Sequence, residues 1–197
     1  MKLILSTHNK GKLKELKALL HETEVLSLDD FPDITLPEED GDTFKENALK
    51  KARHVFEITN EAVLADDSGL CVDALKGAPG IYSARFAGEK ATDKDNNEKL
   101  LKELQGTDDR KANFICTLAL ISKDGEERVF TGKLNGMIAE KLCGASGFGY
   151  DPLFVPEGYD KTLAELGGEV KNKISHRANA LSKLKKYLTE PEEIPCK

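Results

Sequence analysis

The sequence predicts an α/β fold in which helices cover a sheet. Short apolar runs typical of buried strands alternate with segments of helical periodicity, the arrangement expected of that class. Thr43 and Glu46 have the spacing of a helix capping box, and Asp124-Gly125 separates two strand-like stretches as in a hairpin. A chain of 197 residues can bury a proper core, and we expect residues 1–197 to form a single domain.

The first half of the chain predicts two strands and two helices. Leu3–Leu5 is apolar and is predicted to be a strand, and leucines at positions 13, 16 and 20 have helical spacing. A second helix is predicted from Asp42 or Thr43 to about Ile58. The apolar run Ala62–Ala65 then predicts a strand. We expect it to end where the chain becomes polar.

The second half predicts a helix, a hairpin and a last helix. Asp93–Gln105 has a helical pattern, and Ala112–Ser122 and Arg128–Gly136 are β-rich. The last helix is predicted over Ser175–Leu188, with Pro191-Glu192-Glu193 ending it. Glycine and proline cluster at 77–80 and 144–149, so these two loops could flank a cleft.

Composition excludes several classes of protein. A net charge of −6 disfavours wholesale nucleic-acid binding. No apolar run approaches the length of a membrane span, and the N-terminal apolar stretch is too short for a signal peptide. The four cysteines are far apart and lack Cys-x-x-Cys spacing, so neither a zinc site nor a disulfide framework is indicated. We therefore expect a cytoplasmic protein with no membrane partner and no nucleic-acid partner.

Two lysine-containing segments are candidate phosphate contacts. Ser6–Lys12 joins a buried strand to a helix N-terminus, where free N–H groups and the helix dipole favour an anion. The simpler interpretation is a capped helix start with solvated lysines. Lys51 interrupts the apolar stripe of the second helix, so its ammonium must either reach solvent along its stem or meet an anionic partner.

Paired acidic residues provide candidate metal ligands. Asp66 and Asp67 follow an apolar strand, and alternation points them to opposite faces, so only one of the two is expected to enter a given site. Together with Glu38 or Glu39, one of them could supply the few carboxylates that Mg²⁺ takes beside waters and phosphates. The alternative is an Asx-turn that ends the strand.

Two late segments are candidate contacts for a nucleobase. Phe148–Asp151 offers aromatic faces beside a carboxylate that can accept base N–H groups. Ser175–Arg177 could present three hydrogen-bonding groups to one ligand edge. The alternatives are core aromatic residues in a strand-entry loop and a polar helix cap, respectively.

Taken together, these segments resemble the inosine/xanthosine triphosphate pyrophosphatase family, also called Ham1-like. Six short stretches, in order and spread over nearly the whole chain, carry the match: Ser6–Lys12, Thr43–Ala48 with Lys51-Ala52, Ala65–Leu70, Gly77–Arg85, Gly147–Pro152 and Ser175–Ala178. The resemblance implies an elongated α/β fold with a central mixed β-sheet flanked by helices, two lobes around a cleft, and a homodimer.

The resemblance also implies roles for individual residues. Asp67 is expected to be the general base, and Glu38 and Asp67 are expected to hold Mg²⁺. Whether Asp66 or Glu39 shares the metal stays open. The residues implied for substrate binding are Thr7, His8, Asn9, Lys10, Gly11, Lys12, Lys51, Ser68, Phe148, Gly149, Tyr150, Asp151, Lys171, His176 and Arg177.

The activity implied is hydrolysis of non-standard purine nucleotides such as ITP, dITP and XTP. Water activated by Asp67 is expected to attack the α-phosphorus, which gives the nucleoside monophosphate and pyrophosphate. Such an enzyme removes deaminated bases from the nucleotide pool. Two alternatives stay open: a nucleotide-sensing protein without chemistry, and a pyrophosphatase for pyrimidine or methylated nucleotides.

Overall fold

A six-stranded mixed sheet forms the centre of the protein. The computed structural model describes residues 2–21 and 23–189, and the sheet has the strand order β2-β1-β3-β4-β5-β6. The strands are β1 (Lys2–Ser6), β2 (Glu24–Ser27), β3 (Val63–Val72), β4 (Lys111–Ile121), β5 (Glu127–Ile138) and β6 (Phe154–Pro156). β1 is parallel to β2 and β3, and the remaining pairs are antiparallel. The predicted α/β class with a mixed sheet is confirmed.

Helices flank this sheet close to the predicted positions. They are α1 (Lys10–Leu19), α2 (Phe44–Thr59), α3 (Asp93–Glu103), α4 (Leu163–Ile174) and α5 (His176–Thr189). The predicted capping box is present, because the Thr43 side chain accepts from Glu46 N–H and the Glu46 side chain accepts in return. The predicted stop at Pro191-Glu192-Glu193 lies outside the described residues. Three elements, β2, α4 and β6, were not predicted, because each is short or, in α4, interrupted at Gly167.

The predicted hairpin is confirmed, but the predicted end of β3 is wrong. β4 and β5 pair along their length, and Gly125 N–H closes the turn on the Ser122 carbonyl at 2.9 Å. β3 does not end at Ala65. Antiparallel pairing with β4 continues to Val72, with Asp67 opposite Thr117, so the acidic pair lies inside a strand and the Asx-turn alternative is excluded.

Three apolar clusters hold the sheet and its helices together. One packs α1 and α5 against one face of β1, β3 and β4, and a second packs α2 against the other face. The third lies at the far end of the long strands, where β6, α3 and α4 pack. The two ends of one sheet therefore have separate cores. None of the described helices has the length and apolar character needed to cross a bilayer.

Candidate active site

A cleft begins where β1 stops short of β3. β1 ends at Ser6 opposite Ala65, so on that side β3 continues past Ala65 without a strand neighbour among residues 2–21 and 23–189. Two lysine side chains take its place: Lys51 Nζ donates to the Asp66 carbonyl at 2.9 Å, and Lys12 Nζ donates to the same oxygen at 3.4 Å. Unpaired strand carbonyls attract cationic donors, so the open edge of β3 gathers positive charge at the mouth of the cleft.

The cleft has a volume of about 280 Å³ and brings most of the predicted residues together. The predicted residues that line it are Thr7, His8, Asn9, Lys12, Lys51, Asp67, Ser68, Phe148, Gly149, Tyr150, Asp151, Lys171, His176 and Arg177. These come from strand β3 and from loops and helices that are far apart in the sequence. Lys12 and Asp67 share one cavity, as the interpretation of the sequence required.

Three predicted residues do not line the cleft. Lys10 is exposed on the first turn of α1. Gly11 lies beneath the Phe148 ring, since a Cβ built on Gly11 would be 2.5 Å from Phe148 Cδ1. Glu38 is exposed, whereas its neighbour Glu39 is half-buried and lines the cleft. The choice between these two glutamates as the acidic partner of Asp67 therefore goes to Glu39, because the chain turns Glu38 towards solvent.

Lys51 meets anionic partners instead of extending to solvent. It is 4% exposed, its Nζ contacts Asp67 Oδ1 at 3.2 Å, and it also donates to Glu39. Burial alone would lower the pKa of Lys51, but Asp67 and Glu39 outweigh burial and raise it. Burial raises the pKa of Glu39, but Lys51 more than offsets this and lowers it. Both groups are therefore charged at neutral pH.

Asp67 has one oxygen left over. Lys51 occupies Oδ1, whereas Oδ2 is buried and has no hydrogen-bond partner among residues 2–21 and 23–189. Burial raises the pKa of Asp67 despite the neighbouring Lys51 and Lys12. A buried unpaired carboxylate oxygen is costly. Asp67 Oδ2 is therefore suited to accept a proton or bind a cation during function.

Asp66 points to the opposite side of β3 and anchors other functional groups. Its carboxylate accepts from Arg177 Nε at 2.8 Å and from Ser68 Oγ at 2.9 Å, and it pairs with Lys12 Nζ at 2.7 Å. Burial alone would raise the pKa of Asp66, but Arg177 and Lys12 together hold it well below its usual value. Only Asp67 of the pair lines the cleft, which confirms the predicted alternation.

The first loop presents the start of α1 to the cleft. Asn9 is the N-cap, and its Oδ1 accepts from Lys12 N–H at 2.9 Å. Thr7 Oγ1 accepts from Asn9 N–H at 3.2 Å. The helix start is therefore capped, as the simpler interpretation held, and it also lines the cleft with Thr7, His8 and Asn9. Its positive dipole end favours an anion at this position.

Aromatic and ionic groups surround the other end of the cleft. Lys171 Nζ lies 4.4 Å from the centroid of the Phe148 ring, and the same nitrogen pairs with Asp151 and, at 2.7 Å, with Glu15. Phe148 N–H donates to Asp151 Oδ2 at 2.9 Å. Burial raises the pKa of Asp151, although Lys171 opposes the shift. The charges at this end are thus mutually compensated around an aromatic face.

His176 supplies an uncharged polar ring to the cleft. The ring is buried and stacks on Phe114, with centroids 4.7 Å apart and an interplanar angle of 13°. Burial, together with Arg177 and Lys171, lowers the pKa of His176 well below its usual value. Nδ1 is buried, and no hydrogen-bond partner for it occurs in the described part of the chain. A neutral ring with an unpaired nitrogen is suited to hydrogen bonding with a ligand.

Several lining or supporting residues were missed in the sequence. Phe114 and Asp93 line the cleft, and Glu15 pairs with Arg177 across 162 positions of sequence. Asn97 contacts the Phe148–Asp151 loop through Gly149. No local pattern marks these contacts, because each depends on a helix meeting a loop that is distant in the chain.

Comparison with known proteins gives consistent results. The model of the Ham1 family matches residues 3–187. The dITP/XTP pyrophosphatase of Listeria monocytogenes serovar 1/2a is 52% identical over 196 residues, which cover 98% of this chain and 97% of the relative. That of Geobacter sulfurreducens is 52% identical and covers 95% and 96%.

Solved structures agree in fold. A HAM1 protein from Coxiella burnetii superposes with a TM-score of 0.87 at 40% identity, covering 96% of this chain and 98% of that one. The Staphylococcus aureus Ham1 protein gives a TM-score of 0.86 at 43% identity, covering 95% and 98%. The similarity therefore extends over nearly the whole of each chain.

Proposed function

This chain belongs to the Ham1 family, and we propose that it hydrolyses non-standard purine nucleoside triphosphates to the monophosphate and pyrophosphate in an Mg²⁺-dependent reaction. The relatives named as dITP/XTP pyrophosphatases support deoxyinosine and xanthosine triphosphates as substrates. Removal of such nucleotides before polymerases use them is the proposed role.

One observation carries this proposal: a single cleft joins a cationic, dipole-lined end to an aromatic end. Lys12 and Lys51 line the first end, together with the start of α1. Phe148 and His176 line the second. A polyphosphate needs the first kind of surface and a purine ring needs the second. A nucleoside triphosphate has both parts in one molecule.

The donor set at the first end fits Mg²⁺. Mg²⁺ usually takes one or two carboxylates and keeps waters and phosphate oxygens as its other ligands. Asp67 offers a buried oxygen without a partner in the described chain, and Glu39 lies beside the same lysine. We assign Asp67 and Glu39 as the residues that would hold the ion. When bound, Mg²⁺ would neutralise charge on the phosphates and polarise the reacting phosphoryl group.

The chain's own residues would perform the remaining work. Asp67 would accept the proton of the attacking water as the general base. Lys12 and Lys51 would neutralise charge on the departing pyrophosphate. Thr7, His8 and Asn9 would bind the phosphate tail at the start of α1. Ser68 would contact the substrate next to Asp67.

The polar groups at the base end favour a 6-oxo purine. Lys171 and Arg177 can only donate hydrogen bonds, and both line the cleft. A 6-oxo oxygen accepts from such donors, whereas the 6-amino group of adenine would face donor against donor. Sites that pair a substrate oxygen or nitrogen in this way discriminate by about 10⁴-fold. Phe148 would stack on the ring, with Tyr150 and Gly149 shaping the pocket and Asp151 and His176 adding polar contacts.

A substrate panel tests the proposal. Pyrophosphate release is measured with Mg²⁺ for ITP, dITP, XTP, dUTP and the four standard ribonucleoside triphosphates. We expect ITP, dITP and XTP to exceed ATP in kcat/KM by at least about 10³-fold. GTP carries both a 6-oxo group and a 2-amino group. Its turnover therefore shows whether the site rejects the 2-amino group in addition to recognising the 6-oxo group. Preferred turnover of dUTP, or equal turnover of ITP and ATP, would contradict the proposal.

The assembly and compartment belong to the same proposal. We infer a homodimer acting in the cytoplasm, without a nucleic-acid or membrane partner. The net charge of −6 disfavours nucleic acid, and Cys71, Cys116 and Cys143 are free thiols, which suits a reducing compartment. Exposed Tyr82, Met137 and Tyr159 are candidate subunit contacts. Light scattering at micromolar concentration should give twice the 21.7 kDa chain mass, and a monomer would contradict the dimer.

A further inference from the structure

Gly149, in the base-binding loop, is held through its backbone by helix α3. Its N–H donates to Asp93 Oδ2 at 2.7 Å, and its carbonyl accepts from Asn97 Nδ2 at 2.8 Å. Asn97 Nδ2 also donates to the Asp93 carbonyl at 2.7 Å. Both backbone groups of one loop residue are therefore bound by side chains four positions apart, which face the same way on a helix.

These bonds matter because Gly149 lies between the two aromatic residues of the loop. Phe148 precedes it and Tyr150 follows it, and Gly149 itself has a φ of +60°. The Phe148 N–H is held by Asp151, and the Tyr150 hydroxyl donates to the Ser83 carbonyl at 2.8 Å. The bonds from α3 fix the two peptide planes between these anchors. They therefore set the direction in which the Phe148 ring leaves the backbone.

Asn97 differs from the loop residues in one useful respect. It is 3% exposed and does not line the cleft, so a ligand in the cleft does not reach it. Its amide nitrogen is committed to two carbonyl oxygens. Any effect of Asn97 on ligand binding must therefore pass through Gly149 and its neighbours.

We propose that Asn97 and Asp93 are positioning residues for the base end of the cleft: they hold Gly149 so that the Phe148 face is preorganised for the purine ring. The phosphate end does not depend on them, because Lys12 and Lys51 are carried by α1 and α2. The inference rests on the proposed function only for the identity of the base. The contact between α3 and Gly149 does not depend on that function.

The main test is the isosteric variant Asn97→Asp. A carboxylate at this position cannot donate to the Gly149 carbonyl and would face two oxygens at the distances given above. Binding of inosine triphosphate and of inorganic tripolyphosphate is measured by calorimetry in EDTA, so that neither ligand is turned over. We expect Kd for inosine triphosphate to rise about tenfold, because a buried carbonyl loses its donor. Kd for tripolyphosphate should change less than about twofold.

Three further variants separate positioning from loss of structure. Asp95→Ala removes the capping box that Asp95 forms with Thr92 at the start of the same helix, and Asp95 does not contact Gly149. This control should lower the thermal midpoint and leave both Kd values unchanged. Asp93→Asn keeps an oxygen that can accept from Gly149 N–H and should preserve binding, whereas Asp93→Ala should weaken binding of inosine triphosphate alone.

A direct readout needs no ligand. In glycine-labelled protein, the Gly149 amide should exchange slowly with solvent in the wild type and in Asp93→Asn, and at least about tenfold faster in Asp93→Ala, because a lost hydrogen bond raises local opening. Equal weakening of both ligands by Asn97→Asp, equal effects of Asp95→Ala, or an unprotected Gly149 amide in the wild type would overturn the proposal. A wild type that binds inosine triphosphate but releases no pyrophosphate would contradict only the proposed function.

Discussion

The two ends of the cleft are built differently. At the phosphate end, regular elements carry the functional groups: Lys51 lies on α2, Asp67 lies on β3, and Lys12 lies on α1. At the base end, Phe148 and Asp151 lie in a loop whose shape depends on hydrogen bonds from several side chains. Helices α4 and α5 also carry Lys171 and His176 of the base end. The contrast therefore concerns the aromatic loop: the Phe148 ring is positioned by side-chain contacts, whereas Lys12, Lys51 and Asp67 are positioned by regular main-chain geometry.

The electrostatics of the two ends differ in the same way. At the phosphate end, Asp67 keeps a buried oxygen without a partner in the described residues, so this end is incomplete without a cation or a proton. At the base end, Lys171 is paired with both Asp151 and Glu15, and His176 is neutral because its pKa is lowered. The difference suggests that chemistry belongs to the first end and selectivity to the second.

The largest expected effect comes from neutralising the Asp67 carboxylate. Asp67→Asn keeps the shape of the side chain and removes its ability to take a proton. We expect kcat for the preferred triphosphate to fall about 10³-fold, which is the usual contribution of a positioned general base, while nucleotide binding is retained. Pyrophosphate release and calorimetry measure the two quantities. Asp73→Asn, at an exposed position just after β3, is the matched control. Unchanged turnover would remove Asp67 from its role.

The next largest expected effect is a loss of unfolding free energy when the ion pairs of the phosphate end are broken. Lys51→Met leaves Asp67 and Glu39 without their shared cation, and breaking a buried pair typically costs about 3 to 5 kcal/mol. Urea unfolding without nucleotide should show this loss. Lys50→Met is the control, because the neighbouring Lys50 pairs with exposed Asp40 at the surface and its loss should leave the unfolding midpoint nearly unchanged. Equal midpoints for the two variants would mean that Lys51 is not the counter-charge of this end.

The difference between the two ends also explains what the sequence could reveal. Capping, periodicity and the Asp-Gly turn are local signals, and they located α1, α2, α3, α5 and the β4–β5 hairpin to within a few residues. The Asp66-Asp67 pair had no such signal for its strand, because β3 continues only by pairing with Thr117 and its neighbours on β4. Propensity alone favoured a turn there, and tertiary pairing overrode it.

The residues of the cleft likewise divide into those that a local pattern reveals and those that only the fold reveals. Lys51 could be singled out because it breaks an apolar stripe, and it does contact acids. Glu38 and Glu39 are adjacent in a loop, so no periodicity separates them, and only the fold shows that Glu39 faces the cleft. Glu15 and Asn97 act on loops and helices far along the chain, which a single sequence does not reveal. The base end was therefore predictable in its aromatic residues but not in its supports.

A matched pair of glutamates sharpens the assignment of the metal. Glu39→Gln should weaken the apparent affinity for Mg²⁺ by about 10- to 100-fold, the range seen when groups around a metal are altered. Glu38→Gln should leave it unchanged, because Glu38 is exposed and outside the cleft. Activity titrated against Mg²⁺ measures both variants. The reverse outcome would restore Glu38 as the ligand.

The smallest effect tests the neutrality of the base end. Because burial, with Arg177 and Lys171, lowers the pKa of His176, the unfolded chain takes up a proton there before the folded chain does. Unfolding free energy should therefore fall as the pH drops below about 6.5, by at most about 1.4 kcal/mol per pH unit from this group. His176→Phe should flatten this dependence by that share. Identical curves for the wild type and His176→Phe would show that the pKa of His176 is the same in the folded and unfolded chains, which would contradict its burial as a neutral ring.

The most direct test of one cleft with two specialised ends compares two variants on two ligands. Binding of inosine triphosphate and inorganic tripolyphosphate is measured in EDTA for Lys12→Met and Phe148→Ala, with exposed Lys10→Met as control. Lys12→Met should weaken both ligands about tenfold, and Phe148→Ala should weaken only inosine triphosphate by a similar factor, because stacking on a base is typically worth about 1 to 3 kcal/mol. Equal weakening of tripolyphosphate by Phe148→Ala, or no effect of Lys12→Met on either ligand, would contradict the account.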